Sequence, residues 1–253
     1  MAPGPFSRFD LTGKVALVTG GSRGLGRQMV MAFAGAGADV VIASRKLDAC
    51  ETVEAEVEKL GRRALPVACN VGHWDELDSL ADAAYGEFGR VDVLVNNAGM
   101  SLLYRDVAEV TEAMWDKVVD LNLKGVFRLT ALVGPRMARD GGGSVINVSS
   151  TGSIRPNATI LPYAAAKAGV NSLTVGFAQA LGPSVRVNCI MAGPFLTDVS
   201  RVWDLEAFEA GAQRFALQRG GHPEEIVGAA LFFASDASSF TTGAVLRVDG
   251  GIP

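Results

Sequence analysis

The sequence predicts an α/β fold: a doubly wound parallel sheet with helices on both faces. Three observations carry this expectation. Short apolar runs rich in β-branched residues alternate with helical patterns along the whole chain. Glycines cluster where those runs end, and the 30 copies exceed average usage. No Pro/Ser-rich linker, charge block or internal repeat divides the 253 residues, and 49% of them are hydrophobic, so residues 11–253 read as one domain with a sizeable core.

The elements follow in order. Residues 1–10 contain Pro3, Gly4 and Pro5 and no apolar stretch, so they read as a short flexible arm rather than a signal peptide. Residues 14–19 form a buried strand. A turn with Gly20, Ser22, Arg23, Gly24, Leu25 and Gly26 follows, and a helix runs on from Gly24 to about Gly35 or Gly37. Residues 39–43 make the next strand, ending at Ser44, Arg45 and Lys46. Residues 64–68 make the third, followed by Asn70 and Val71. Residues 91–95 make the fourth, followed by Asn96, Asn97, Ala98 and Gly99. Helical patterns cover 116–137 and 161–180. A sixth strand leads to Ala192, Gly193 and Pro194, a lid spans about 195–219, and residues 244–248 form the last strand.

Strand, glycine turn and helix N-terminus are the context that a phosphate site of the Rossmann type needs, the alternative being a tight strand–helix connection with no ligand. Gly20 permits the sharp turn, Gly24 lets backbone approach a diphosphate, and Gly26 lets the helix pack closely on the strand. The spacing is Gly-x-x-x-Gly-x-Gly, not Gly-x-Gly-x-x-Gly. The end of the second strand meets an adenosine ribose in such folds. A carboxylate there would repel a 2′-phosphate. Here Ser44, Arg45 and Lys46 occupy it, with Arg23 in the turn, which favours NADP(H) over NAD(H).

Tyr163 and Lys167 stand four residues apart, on one helix face. A free phenol titrates near pH 10, and a cation within about 4–6 Å lowers that by roughly 1–3 units. The pair therefore suggests general acid–base work by Tyr163.

With these motifs in sequence, the chain resembles the short-chain dehydrogenases/reductases, over nearly its whole length. The resemblance rests on the glycine turn, Asn96-Asn97-Ala98-Gly99, Asn122 between two leucines, Ser149-Ser150, Tyr163 with Lys167, and Asn188. It implies an oxidoreductase that moves hydride between NADP(H) and a small-molecule carbonyl or secondary alcohol. It further implies that Ser150, thirteen positions before Tyr163, bonds the substrate oxygen, with Ser149 the alternative. Tyr163 passes the proton, Lys167 holds the nicotinamide ribose, and Asn122 holds a relay water or kinks a long helix. Asn70, Val71, Asn96, Ala98, Gly99, Gly193 and Thr197 complete the cofactor contacts. Three positions depart from the family pattern: Asn70 replaces an adenine-binding aspartate, the proline near Gly193 is shifted to Pro194, and Gln179 replaces an acid.

Among family members, 3-oxoacyl-carrier-protein reductases offer the nearest analogy. An acidic carrier protein needs a basic docking surface, for which Arg136 and Arg139 are the candidates. A non-catalytic cofactor-binding sensor or scaffold is the reading from a different class. Apolar residues Trp203, Leu205, Phe208, Phe215 and Leu217 in the lid, with residues 100–104 and 153–155, suggest a hydrophobic or mixed substrate. Arg155 is a candidate for an anionic group. The net charge of −4 gives no reason to expect nucleic-acid or membrane partners. Cys50, Cys69 and Cys189 lack metal spacing and read as reduced, buried thiols of a cytoplasmic protein. His73 and His222 sit at helix starts. The resemblance also implies a homotetramer, with a dimer second, and no metal.

Overall fold

The computed structural model describes residues 5–198, 200 and 204–253. Its strands are β1 Val15–Thr19, β2 Asp39–Ser44, β3 Ala64–Ala68, β4 Val93–Asn96, β5 Gly143–Ser150, β6 Val185–Ala192 and β7 Val245–Val248. They form one seven-stranded sheet in the order β3-β2-β1-β4-β5-β6-β7, with every neighbouring pair parallel. The helices are α1 Gly24–Gly35, α2 Leu47–Glu58, α3 Trp74–Phe88, α4 Glu112–Val119, α5 Gly125–Arg139, α6 Leu161–Leu181, α7 Leu205–Ala212 and α8 Val227–Ala234.

A parallel sheet covered on both faces needs strands that are apolar at every position, not at alternate ones. β1 shows this: all five residues are buried. Ala16 and Val18 face Met29 and Phe33 of α1 and Phe233 of α8. Val15 and Leu17 face Leu77 and Leu80 of α3 and Leu129, Val133 and Met137 of α5. The sheet therefore separates two apolar layers, and the chain's reactive residues are left to the strand ends.

The strand order reverses at β1 and β4, which opens a crevice at their carboxyl ends. Thr19, Ser44, Ala68, Asn96, Ser150 and Ala192 terminate their strands on that edge. The expected site residues come from the segments just beyond.

The structure differs from the sequence expectations in two places. The helix expected at 116–137 starts at Glu112, where the Thr111 hydroxyl caps the Met114 N–H at 3.2 Å. It is also broken by a π turn, Asp120–Lys124, before resuming as α5. Inside the expected flexible arm, Pro5–Phe9 forms a 3-10 turn.

The lid contains α7, and the expected Trp203 lies outside the described residues. Its return leg is fastened on two sides. Gly221 and Leu196 are joined through Leu196 N to Gly221 O (2.8 Å) and Gly221 N to Pro194 O (3.0 Å). Ala216 and Leu217 donate to Gly251 O and Gly250 O, at 3.1 and 2.9 Å. Among the described residues, no helix is long and apolar enough to cross a membrane.

Candidate active site

The glycine turn behaves as its residue types require. Gly20 and Gly24 have φ of +65° and +53°, the left-handed region that strains any residue with a Cβ. Gly26 is needed for closeness instead: a Cβ there would lie 2.1 Å from Gly20 O. The Thr19 hydroxyl accepts from the N–H groups of Asn97 (3.0 Å) and Ala98 (3.1 Å), and Asn97 Nδ2 donates to Thr19 O at 2.9 Å. The ends of β1 and β4 are thus clasped together on either side of the crevice.

α1 opens without a side-chain cap, and no acid lies in its first turn, so its first N–H groups face outward with the positive end of the helix dipole. They border a cleft of about 420 Å³ whose walls include Ser22, Arg23, Gly24, Arg27 and Thr197. A Cβ on Gly24 would still have 3.6 Å to Thr197. This open, donor-rich cradle fits a dinucleotide diphosphate.

At the end of β2, Ser44 Oγ lies 2.9 Å from Ser22 Oγ and 3.2 Å from Cys50 Sγ. Arg27 is committed to Glu56. Arg23, Arg45 and Lys46 are exposed, and among the described residues no carboxylate pairs with any of them. Beyond β3, the Asn70 carboxamide is held by Gly72 and His73, and Val71 is buried.

Ser150 is the last residue of β5. Strand alternation turns Ser149 the other way, where it is buried and its hydroxyl donates to Lys167 O at 3.0 Å. Ser150 Oγ accepts from Gly152 N at 3.1 Å and stands near enough to the half-buried Tyr163 phenol to act on its titration. Of the two serines, Ser150 is the one beside the tyrosine.

Lys167 follows one turn along α6 and is 2% exposed. Its Nζ donates to Val148 O at 2.8 Å and lies 5.8 Å from the centre of the Tyr163 ring. Burial lowers the Lys167 pKa to about 8, with the Cys189 thiol acting weakly the other way. Burial pushes the Tyr163 phenol up, and the nearby Ser150 hydroxyl pulls it back only in part. The expected lowering of the tyrosine by the lysine is therefore corrected. The ammonium rests on the Val148 carbonyl, and loss of hydration sets the direction of the shift at the phenol.

Asn122 sits on the π turn, fully buried. Its Oδ1 accepts from Met100 N at 3.2 Å, and its Nδ2 donates to Met100 O and Val118 O, both at 2.8 Å. A Cβ on Gly99 would lie 2.8 Å from Asn122 Oδ1 and 3.4 Å from Lys167 Nζ. Asn122, Lys167 and the end of β4 thus converge on one point of the crevice.

Three expected residues stand elsewhere. The Asn96 side chain is buried, with Nδ2 bonded to Thr130 Oγ1 (3.0 Å) and Asn147 Oδ1 (2.9 Å), a tie between β4, β5 and α5. Asn188 joins β6 to the approach of β7 through Thr241 O (2.8 Å) and Ala244 N (3.1 Å). Arg136 is paired with Asp82 at 2.9 Å and stacked on Tyr85. The structure also adds a contact that the sequence does not announce. Tyr104 is buried, and its phenolic oxygen accepts the Leu161 N–H at 2.8 Å, fastening the loop after β4 to the first residue of α6. On the open side, Leu103, Ile154, Leu205 and Leu217 are exposed.

This chain matches a family model described as enoyl-(acyl carrier protein) reductase over residues 20–253. It is 38% identical over 245 residues to the 3-oxoacyl-[acyl-carrier-protein] reductase of Thermotoga maritima, covering 96% of this chain and 98% of the relative. It is 36% identical over 243 residues to the 7alpha-hydroxysteroid dehydrogenase of Escherichia coli K12, covering 95% and 94%. A solved 7alpha-hydroxysteroid dehydrogenase, in complex with NADH and 7-oxoglycochenodeoxycholic acid, superposes with a TM-score of 0.94 at 34% identity, covering 98% of each chain.

Proposed function

The chain belongs to the short-chain dehydrogenase/reductase family, an oxidoreductase family, and on that footing we propose that it transfers hydride between NADP(H) and a small-molecule carbonyl or secondary alcohol. The observation that carries this reading is the convergence of Ser150 on Tyr163, with Lys167 one helical turn on and its Nζ 5.8 Å from the centre of the tyrosine ring. When bound, the nicotinamide supplies or takes the hydride. Ser150 donates a hydrogen bond to the substrate oxygen as charge builds there. Tyr163 gives that oxygen its proton in reduction and takes it back in oxidation. Burial keeps the phenol protonated, which suits the donor role.

Lys167 holds the nicotinamide ribose and refills the proton. Both Asn122 Nδ2 protons are already used, so a relay water reaches this residue through the remaining Oδ1 lone pair or a carbonyl freed by the π turn. Gly20, Ser22, Gly24, Leu25, Gly26, Ala98, Gly99, Gly193 and Thr197 border the cofactor. Arg23, Arg45 and Lys46, which lack carboxylate partners among the described residues, support the 2′-phosphate and hence NADP(H).

The Thermotoga relative's name favours a second reading, reduction of a 3-oxoacyl thioester on a carrier protein. Arg136, one of two candidate docking cations, is already engaged by Asp82, which leaves the small-molecule reading ahead. The exposed side of α6 carries Ala165, Ala168, Ser172, Val175 and Gln179 and no charge. Phe127 and Val175 stand 43% and 46% exposed. β7 is an open sheet edge. These surfaces support a homotetramer.

The deciding experiment is turnover of a ketone panel and of a 3-oxoacyl thioester with NADPH and with NADH. Ketone reduction with NADPH supports the proposal. Turnover of the carrier-bound thioester alone supports the second reading. Cofactor binding with no turnover at all would make the chain a sensor or scaffold.

A further inference from the structure

Asn70, His73 and Glu76, at the end of β3 and the start of α3, close a ring of hydrogen bonds. Asn70 Nδ2 meets His73 Nε2 at 3.0 Å, His73 Nδ1 meets Glu76 Oε1 at 2.7 Å, and Glu76 Oε2 accepts the Asn70 backbone N–H at 2.6 Å. The Asn70 Oδ1 accepts the Gly72 N–H at 3.2 Å, which fixes the orientation of the carboxamide. Proton accounting then leaves one arrangement. An amide nitrogen only donates, so His73 Nε2 presents its lone pair, and the single ring proton sits on Nδ1 and goes to Glu76. The Asn70 N–H and His73 hold the Glu76 carboxyl below its usual range, so it remains an acceptor. The His73 side chain is 64% exposed, open to protons from solvent.

A second proton on His73 breaks the ring. Nε2–H then confronts the Asn70 NH₂ group, donor against donor. The imidazolium stays with Glu76, and the carboxamide turns over to bring Oδ1 to Nε2–H, giving up the Gly72 N–H bond for a charge-assisted one. The other charged groups around this corner are Asp75 on α3, the Asp120–Lys124 pair on the π turn packed against Gly72, and Arg128 stacked on Trp74.

We infer that His73 is a positioning residue for base recognition. Neutral, it holds the Asn70 carboxamide so that the second Oδ1 lone pair accepts the exocyclic amine of an adenine. Protonated, it puts the amide nitrogen there instead, and the preference swings from an amino purine toward a keto purine. This rests on the dinucleotide reading, which sets the adenine beyond β3.

The test is calorimetric titration with NADP⁺ and its hypoxanthine analogue, and with NAD⁺ and its own, at about pH 7.5 and about pH 5.5, which bracket imidazole titration. Phosphate charges are common to each pair, so their titration cancels in the adenine-to-hypoxanthine affinity ratio. In the wild type that ratio falls about tenfold on acidification, the effect of replacing an accepted hydrogen bond with opposed donors. In His73→Gln, whose Oε1 accepts the Asn70 N–H at either pH, the ratio does not move. In Asn70→Ala it is low at both. A pH-independent wild-type ratio, or a His73→Gln ratio that still moves, overturns the positioning role and leaves the cofactor reading standing. If none of the four dinucleotides binds at the higher pH, both fall.

Discussion

Asn122 grips both backbone polar groups of Met100: its Oδ1 accepts the N–H at 3.2 Å and its Nδ2 donates to the carbonyl at 2.8 Å. The two residues belong to different segments, the π turn and the loop after β4. The clasp therefore ties the helix that borders the site to the loop that walls it. Asn122→Ala leaves the Met100 and Val118 groups without partners in a buried setting. The expected loss is about 1–3 kcal/mol of stability, read by denaturant unfolding, together with reduced turnover. Unchanged stability would show that water replaces the carboxamide.

Tyr163→Phe keeps the ring and removes the proton. Turnover should fall by roughly 10²–10⁴-fold while cofactor affinity, followed by fluorescence titration, stays within about twofold. Retention of most of the activity would remove Tyr163 from proton transfer.

Arg45→Asp replaces an unpaired cation with a carboxylate at the end of β2. NADPH affinity should drop about 10–100-fold and NADH affinity should rise, since a charge-assisted bond is exchanged for repulsion. Equal wild-type affinities for the two cofactors would defeat the assignment before any variant is made.

Burial lowers the Lys167 pKa from its ordinary 10.5 to about 8, so the folded chain binds this proton more weakly than the unfolded one. Below the folded value both states are protonated and the cost of burying the charge is constant. Between the two values the unfolded state binds more protons, and this group makes stability rise with pH. Tyr163, Cys69, Cys189 and Tyr85 are acids with raised values and pull the opposite way as pH rises. The lysine contribution is isolated by subtracting Lys167→Met unfolding curves from wild-type ones in cofactor-free protein. The difference should grow in favour of the wild type from neutral to alkaline pH. A flat difference would place the ammonium in contact with water.

Val175→Glu puts a charge on the uncharged outer side of α6. Light scattering should report four chain masses for the wild type and a smaller species for the variant. A monomeric wild type at micromolar concentration would end the assembly proposal.

The glycine turn and the Tyr163–Lys167 pair were legible because their spacings record local geometry: a left-handed φ at Gly20 and Gly24, and one turn of helix. Ser150 came from the family spacing, with Ser149 left open, and only the structure separates the two by turning Ser149 toward Lys167 O. What stayed hidden depends on partners far along the chain. The destination of Asn96 is set by Asn147 and Thr130 across the β4–β5 pairing. The direction of the Tyr163 shift is set by burial, which no spacing records. A kink at Asn122 was one of two readings of that residue, but its form as a π turn was hidden, because the carboxamide on it is answered by a residue on another loop.

A π turn is an α-helix holding one residue too many. At 3.6 residues per turn, removing one residue from 120–124 would advance α5 by about 100° about its axis. Arg128 would swing away from Asp78 and the Trp74 ring, and Arg136 from Asp82 and the Tyr85 ring. Val133 and Met137 would leave the apolar layer beneath the sheet. The surplus residue thus sets the rotational phase of everything downstream in that helix. In this segment a deletion of one is far harsher than a substitution of one.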